Sequence, residues 1–173
     1  YLAVMSFMTL RPDEMATTAL TLNLFVAGVS LVSFARAGHF KGKATWPFVV
    51  ASVPAALVGG LVPVSVHLYQ TLLAVALCVA AWRLAVDTPD KAGRSLRTPS
   101  LAVALPLGGG IGWLSGAVGV GGGIFLSPLL VLRGWAGPKQ AAAGSAAFIL
   151  ANSAAALLGR AVRSSLAYQG FWP

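Results

Sequence analysis

The residues best suited to chemistry in this sequence are glycines rather than charged side chains. They lie between Gly108 and Pro128, in the stretch GGGIGWLSGAVGVGGGIFLSP. Consecutive glycines followed by a proline are poor material for a continuous helix, so we expect a helix to break here. A helix that restarts after a break presents backbone N–H groups that can bind an anion without a positive side chain. The candidate anion-binding glycines are Gly119, Gly121, Gly122 and Gly123.

Two other interpretations of these glycines compete with an anion site. A dinucleotide-binding fingerprint does not fit, because the stretch has no G-x-G-x-x-G pattern and no acidic residue follows about 20 residues later. A close helix-packing surface does fit, since glycines spaced three or four residues apart let membrane helices approach closely. The sequence therefore leaves both the anion-site and the packing interpretation open.

The predicted helix after the glycines carries small polar side chains that could face the same site. Ser145 and Asn152 are seven residues apart and therefore share one helix face, with Gly159 a further seven residues on. A helix near the start of the chain has polar residues in similar positions, namely Thr17, Thr18 and Asn23. These side chains either contact a bound substrate or form hydrogen bonds between helices.

The composition requires that these helices lie in a membrane. Hydrophobic residues make up 57% of the 173 residues and charged residues only 9%, whereas a soluble domain carries roughly 25% charged residues. Disorder is excluded because disordered chains are poor in apolar residues. The net charge of +8 does not indicate nucleic-acid binding, because the basic residues form short clusters between apolar runs.

The predicted membrane segments are the long apolar runs of the sequence. They are Thr17–Ala35, Trp46–Val66, Tyr69–Val86, Leu101–Leu132 and Gln140–Gly159. Every charged residue falls in a loop or within about a turn of a run's end. We therefore expect no buried carboxylate, lysine or arginine, no metal or other cofactor, and an anion site built from dipoles rather than from charged side chains.

An internal repeat suggests how the runs are oriented. A shift of 126 residues places Pro12 on Pro138, and each copy reads as a helix followed by a basic loop, Arg36–Lys43 or Arg160–Arg163. Because basic loops stay in the cytoplasm, we expect both loops on that side and two repeats of the same orientation. An even number of crossings must then separate the loops. Leu101–Leu132, too long for one straight helix, must make a single net crossing as a broken or re-entrant segment.

The polar stretch 87–100 divides the chain into two parts. We expect residues 1–86 to be a portion of the first repeat, 87–100 a linker and 101–173 a portion of the second repeat. The sequence begins within one apolar run and stops where another helix could begin, so we expect a fragment with membrane segments missing at both ends.

Several motifs resemble those of the sulfite exporter TauE/SafE family. The family's G-x-G-G-G, P-L-L, K-x-A and G-S motifs correspond to Gly119–Gly123, Pro128–Leu130, Lys139–Ala141 and Gly144-Ser145. The first half departs from the pattern, with Met15 closing the family's P-x-x-A and Ala19 closing its T-S. The resemblance covers essentially the whole chain. It implies an all-α polytopic bundle of about eight segments in two repeats, located as a multi-pass protein in the cell inner membrane.

The resemblance also implies a function. We expect a transporter of small anions, with sulfite, an organosulfonate or a related sulfur oxyanion as its substrate, and not an enzyme. The expected partners are the anionic substrate and the lipid bilayer, without nucleic acid. The alternatives are a membrane scaffold that transports nothing and a transporter of an unrelated small organic acid. A membrane-embedded enzyme would need titratable groups at depth, and only His67 lies near a membrane face.

Overall fold

The computed structural model describes residues 12–40, 42–62 and 99–168, together with isolated positions between Ser65 and Trp82. In these parts of the chain all regular structure is helical, as predicted. The helices are α1 (Pro12–Arg36), α2 (Trp46–Leu61), α3 (Leu101–Val118), α4 (Gly123–Leu132) and α5 (Pro138–Tyr168), and a short 3₁₀ turn at Gly42–Ala44 precedes α2.

Three of the described helices are long and apolar enough to cross a membrane. The spans are Glu14–Arg36, Leu101–Val118 and Pro138–Ser165, and α2 is apolar but shorter. The predicted run Trp46–Val66 stops as a helix at Leu61, because Val62 is extended with ψ 124°. Most of the predicted Tyr69–Val86 span and of the linker 87–100 lies outside the described residues. The all-α membrane bundle is confirmed.

Helix α2 packs against α3 through glycines at four-residue spacing. Gly108, Gly112 and Gly116 lie against the backbone of Phe48, Ser52 and Ala56 respectively. A Cβ atom on Gly112 would come within 2.6 Å of the Ser52 Cα atom. The packing interpretation is therefore correct for these three glycines. Because the residue numbers of the contacting pairs increase together along both helices, α2 and α3 run in the same direction.

A neighbouring face of α2 packs against α5 in a similar way. Gly144 lies against the Thr45 side chain, and Gly60 lies against the backbone carbonyl of Ala156. The residue numbers of these pairs also increase together, so α2 and α5 are parallel. Small residues at these contacts let α2 sit between α3 and α5 at short interaxial distances.

This packing predicts which glycine variants lose stability. Gly112→Ala is expected to destabilise the bundle by about 1–3 kcal/mol, because the added methyl group has no space beside Ser52. Gly110→Ala on the same helix is the control, since no other atom lies within 4 Å of its Cβ position. Thermal unfolding of the purified full-length variants in detergent would compare them. Equal melting temperatures would contradict the packing described above.

Helices α1 and α5 run in opposite directions, which corrects the predicted orientation of the repeat. Gly119, just after α3, lies against Ala16, and Gly121 lies against both Asn23 and Ile149. Arg160 donates hydrogen bonds to the last turn of α3. Ala16 and Arg160 thus lie at the level where α3 ends, and Asn23 and Ile149 lie together at the level of Gly121. Between these two levels the residue numbers increase along α1 and decrease along α5. The prediction of same-orientation copies with both basic loops on one side is wrong.

The segment Leu101–Leu132 also crosses differently from the prediction. Helix α4 is antiparallel to α5, because Gly123 lies against Ile149 and Ser127 bonds to Ser145. Since α3 is parallel to α2, and α2 to α5, helices α3 and α4 run in opposite directions. The chain enters along α3, turns at the glycines and returns along α4. The segment makes no net crossing, and the predicted single crossing is wrong.

The second predicted basic loop is likewise helical. Helix α5 continues past Gly159 to Tyr168, so Arg160 and Arg163 lie within it. Arg160 is only 6% exposed. The expectation that no arginine is buried in an apolar segment is therefore wrong.

Candidate functional site

The predicted break in the glycine-rich segment is present. Helix α3 ends at Val118 and α4 begins at Gly123. Between them Gly119, Gly121 and Gly122 adopt φ values of 79°, 81° and 72°. This left-handed region is readily accessible to glycine and costly for residues with a Cβ atom. The run of glycines therefore lets the chain turn back within a few residues.

The break lies at depth in the bundle. Gly121 and Gly123 both face Ile149, which lies near the middle of the candidate span Pro138–Ser165. All four predicted glycines are buried. Non-helical backbone at such depth is tolerated where protein buries it or where it lines a water-filled cavity. Here protein buries the glycines, and a cavity adjoins the break on one side.

A cavity of about 260 Å³ opens beside the break, between α1, α4 and α5. Its polar lining consists of the Asn23 amide and three serine hydroxyls. The full lining is Asn23, Val26, Ala27, Ser30, Phe34, Gly123, Ser127, Ala142, Ser145, Ala146 and Ile149. The Ser127 hydroxyl donates a hydrogen bond of 2.7 Å to the Ser145 hydroxyl, which joins α4 to α5 across the cavity wall. No charged residue belongs to this lining.

The N-terminal end of α4 reaches this cavity through Gly123. Gly122 is its N-cap residue, and no side chain caps the helix. The carbonyl of Gly122 accepts hydrogen bonds from the N–H groups of Phe125 and Leu126. The first N–H groups of a helix have no partner within the helix, and they carry the positive end of its dipole. The arrangement can therefore attract a negative group into the cavity.

The structure separates eight of the nine predicted site residues, all except Asn152, into three groups. Asn23, Gly123 and Ser145 line the cavity, and Gly121 adjoins it, because a Cβ atom there would lie 2.7 Å from Asn23 Nδ2. Gly119 and Gly122 support the turn from behind, against Ala16 and Phe148. Thr17 and Thr18 are exposed and lie outside the cavity lining.

Two further polar residues of the cavity were not predicted from the sequence. Ser30 lies seven residues after Asn23, and therefore on the same face of α1. Ser127 lies four residues after Gly123, one turn into α4. The helical spacing of each from a predicted residue is the signal that could have identified it.

Asn152 is fully buried, but it does not line the cavity. Within the described part of the chain, neither its Oδ1 nor its Nδ2 atom has a hydrogen-bond partner, and the hydroxyls of Ser115 and Ser153 share this property. Asn152 lies one turn beyond Phe148 on α5, and both Phe148 and Ser115 flank Gly122. Buried polar groups without protein partners are uncommon, and here two of them, Ser115 and Asn152, lie beside the break.

Comparison with known proteins identifies the family of this chain. The family model for "Sulfite exporter TauE/SafE" matches residues 1–173. A curated protein of Sinorhizobium fredii, "Probable membrane transporter protein y4hK", is 35% identical over 162 residues, which is 92% of this chain and 66% of that protein. The chain thus spans slightly less than two thirds of that relative's length. No solved structure matches the chain. The match over all 173 residues, together with the apolar helices and the glycine break, shows that this membrane chain belongs to the sulfite exporter TauE/SafE family.

Proposed function

We propose that the full-length protein transports a small anion across the bacterial inner membrane through the cavity between α1, α4 and α5. The observation that carries this proposal is the uncapped N-terminal end of α4 at a cavity lined by neutral donors. The family and the curated relative, which is named a probable membrane transporter, support transport over catalysis.

The polar groups of the cavity suit an oxyanion. An oxyanion accepts several hydrogen bonds, and the Asn23 amide, the serine hydroxyls and the first N–H groups of α4 can supply them. Because no fixed positive side chain lines the cavity, the anion would be held by dipoles and could be released. A transporter needs such reversible binding. We therefore propose sulfite or a related sulfur oxyanion as the substrate.

The apolar part of the lining extends the proposal to organosulfonates. Val26, Phe34 and Ile149 share the cavity with the polar groups. A sulfonate could place its oxygen atoms at Gly123 and its carbon chain against these side chains. Sulfite and short sulfonates would then compete for one site.

Removing one donor tests the site directly. Ser145→Ala in the full-length protein is expected to weaken sulfite binding roughly 10- to 100-fold, because a hydrogen bond to a charged group contributes about 1–3 kcal/mol. Thr18→Ala is the matched control, since Thr18 is exposed and outside the cavity lining. Sulfite affinity and melting temperature would be measured on the same purified proteins.

The two interpretations of the serine predict different results. If Ser145 only joins helices, Ser145→Ala lowers the melting temperature and leaves sulfite affinity unchanged. That result, or an equal loss of affinity in Thr18→Ala, would count against the proposed site.

A further inference from the structure

A buried arginine lies beside the break, outside the cavity lining. Arg160 is 6% exposed and lies within the candidate span Pro138–Ser165 of α5. Its Nη2 atom donates hydrogen bonds of 3.2 Å to the Gly116 carbonyl and 2.9 Å to the Ala117 carbonyl. These carbonyls belong to the last turn of α3, where a helix leaves acceptors without partners inside the helix. The guanidinium therefore covers the end of α3 that precedes the break.

The position matters because two opposite helix ends meet at this break. The C-terminal end of α3 carries roughly half a negative elementary charge, and the N-terminal end of α4 carries roughly half a positive one. Gly122, the N-cap of α4, lies close to Ser115, since a Cβ atom on Gly122 would be 3.3 Å from Ser115 Cβ. For an anion at α4, the negative end of α3 would largely cancel the attraction of the positive end.

We propose that Arg160 is a positioning residue that neutralises the C-terminal end of α3 and thereby leaves the break with the positive potential that selects an anion. The inference rests on the proposed function. It adds to that function a charged residue, Arg160, that does not belong to the cavity lining. Arg160 acts through the α3 carbonyls and does not touch the anion.

A purely structural cap would not need a buried charge. Burying an ionised side chain in an apolar segment costs several kcal/mol, so such residues usually serve a function. Arg163, about one turn later on α5, shows that an arginine can bind a backbone carbonyl without the desolvation cost of burial. It donates a hydrogen bond of 3.0 Å to the Val62 carbonyl and remains partly exposed to solvent. The two arginines therefore form a matched pair, of which only Arg160 is buried at the break.

The expected effect follows from the distance between the guanidinium and α4. The contacts Arg160–Gly116 and Ser115–Gly122 place the charge on the order of 10 Å from the start of α4. At an effective dielectric constant of about 20, removing a unit charge at that distance weakens anion binding by roughly tenfold.

The test measures sulfite affinity and melting temperature for full-length wild type, Arg160→Gln, Arg160→Lys and Arg163→Gln. Glutamine keeps an N–H donor but removes the charge, whereas lysine keeps the charge with different hydrogen-bond geometry. We expect Arg160→Gln to lose roughly tenfold or more in affinity. We expect Arg160→Lys and Arg163→Gln to stay near wild type.

Each outcome decides one question. Wild-type affinity in folded Arg160→Gln, or an equal loss in Arg160→Lys and Arg160→Gln, would overturn the charge role. If Arg160→Gln does not fold, Arg160→Lys alone decides: retained affinity supports the proposal and a tenfold loss overturns it. A wild-type protein that binds no sulfite would instead defeat the proposed function, and this inference with it.

Discussion

Replacing Gly121 by alanine in the full-length protein is expected to reduce sulfite affinity by as much as about 100-fold. Gly121 has φ 81°, and a Cβ atom there would lie 2.7 Å from Asn23 Nδ2 and 3.0 Å from Ile149 Cγ2. The amide is the end of a flexible side chain, so it would move away rather than unfold the bundle. The cavity would then lose one of its donors, and the backbone strain would cost about 1–2 kcal/mol of stability.

Gly134→Ala is the control that separates the effect of backbone strain from the effect of displacing the Asn23 amide. Gly134 also has a positive φ, of 67°, but nothing lies within 4 Å of its Cβ position. This control should lose similar stability and keep wild-type sulfite affinity. If Gly121→Ala and Gly134→Ala bind sulfite equally well, the Gly121–Asn23 contact has no role in binding.

Single cysteines at Ala37 and Ser165, each in a Cys78→Ser background, are expected to react with a membrane-impermeant thiol reagent from opposite sides. The reason is the antiparallel arrangement of α1 and α5, which puts the end of α1 and the end of α5 at opposite ends of the bundle. Both positions are exposed. Because the labelling of a sealed vesicle from one side is close to all or none, the expected difference is large.

A cysteine at Lys139 provides the control for this experiment. Lys139 is exposed at the start of α5, which shares the end of the bundle where α1 finishes. It should therefore label together with Ala37. Because Arg36, Arg133 and Lys139 all lie at this end of the bundle, we expect from the positive-inside rule that this end faces the cytoplasm. Labelling of Ala37 and Ser165 from the same side would restore the same-orientation repeat and contradict the packing.

The sequence predicts the helix break correctly, but it does not predict the direction of the helices. Three consecutive glycines and Pro128 weaken helical backbone locally, and local propensity is readable from one segment alone. The 126-residue shift relates two similar stretches, but similarity of residues does not state whether one copy is inverted. Direction depends on the contacts of Gly121 with both Asn23 and Ile149, which lie on helices far apart in the chain.

The role of each individual glycine could not be predicted from the sequence either. Gly112 and Gly122 occur in one glycine-rich stretch, yet the first packs against Ser52 and the second forms the turn. Four-residue spacing identifies the packing glycines only once a partner helix is known. The packing interpretation is therefore correct for Gly112, and the predicted helix break is present at Gly122.

Arg160 was missed for a physical reason that is specific to its position. It follows Gly159, and a glycine before a charge is typical of a helix end and a solvated loop. In the structure Gly159 instead lies against the Leu57 carbonyl, and the helix continues. The carbonyls that stabilise the guanidinium belong to α3, more than 40 residues earlier in the chain.

The most direct test of the central claim is uptake of radiolabelled sulfite into proteoliposomes that contain the full-length protein. Wild type would be compared with the double variant Ser127→Ala/Ser145→Ala, which removes both partners of one hydrogen bond and so leaves neither hydroxyl of this pair behind without the other. We expect saturable uptake by wild type, at least about tenfold lower uptake at subsaturating sulfite by the folded double variant, and wild-type uptake by Thr18→Ala. Wild-type uptake no greater than that of empty liposomes, or undiminished uptake by the double variant, would contradict that claim.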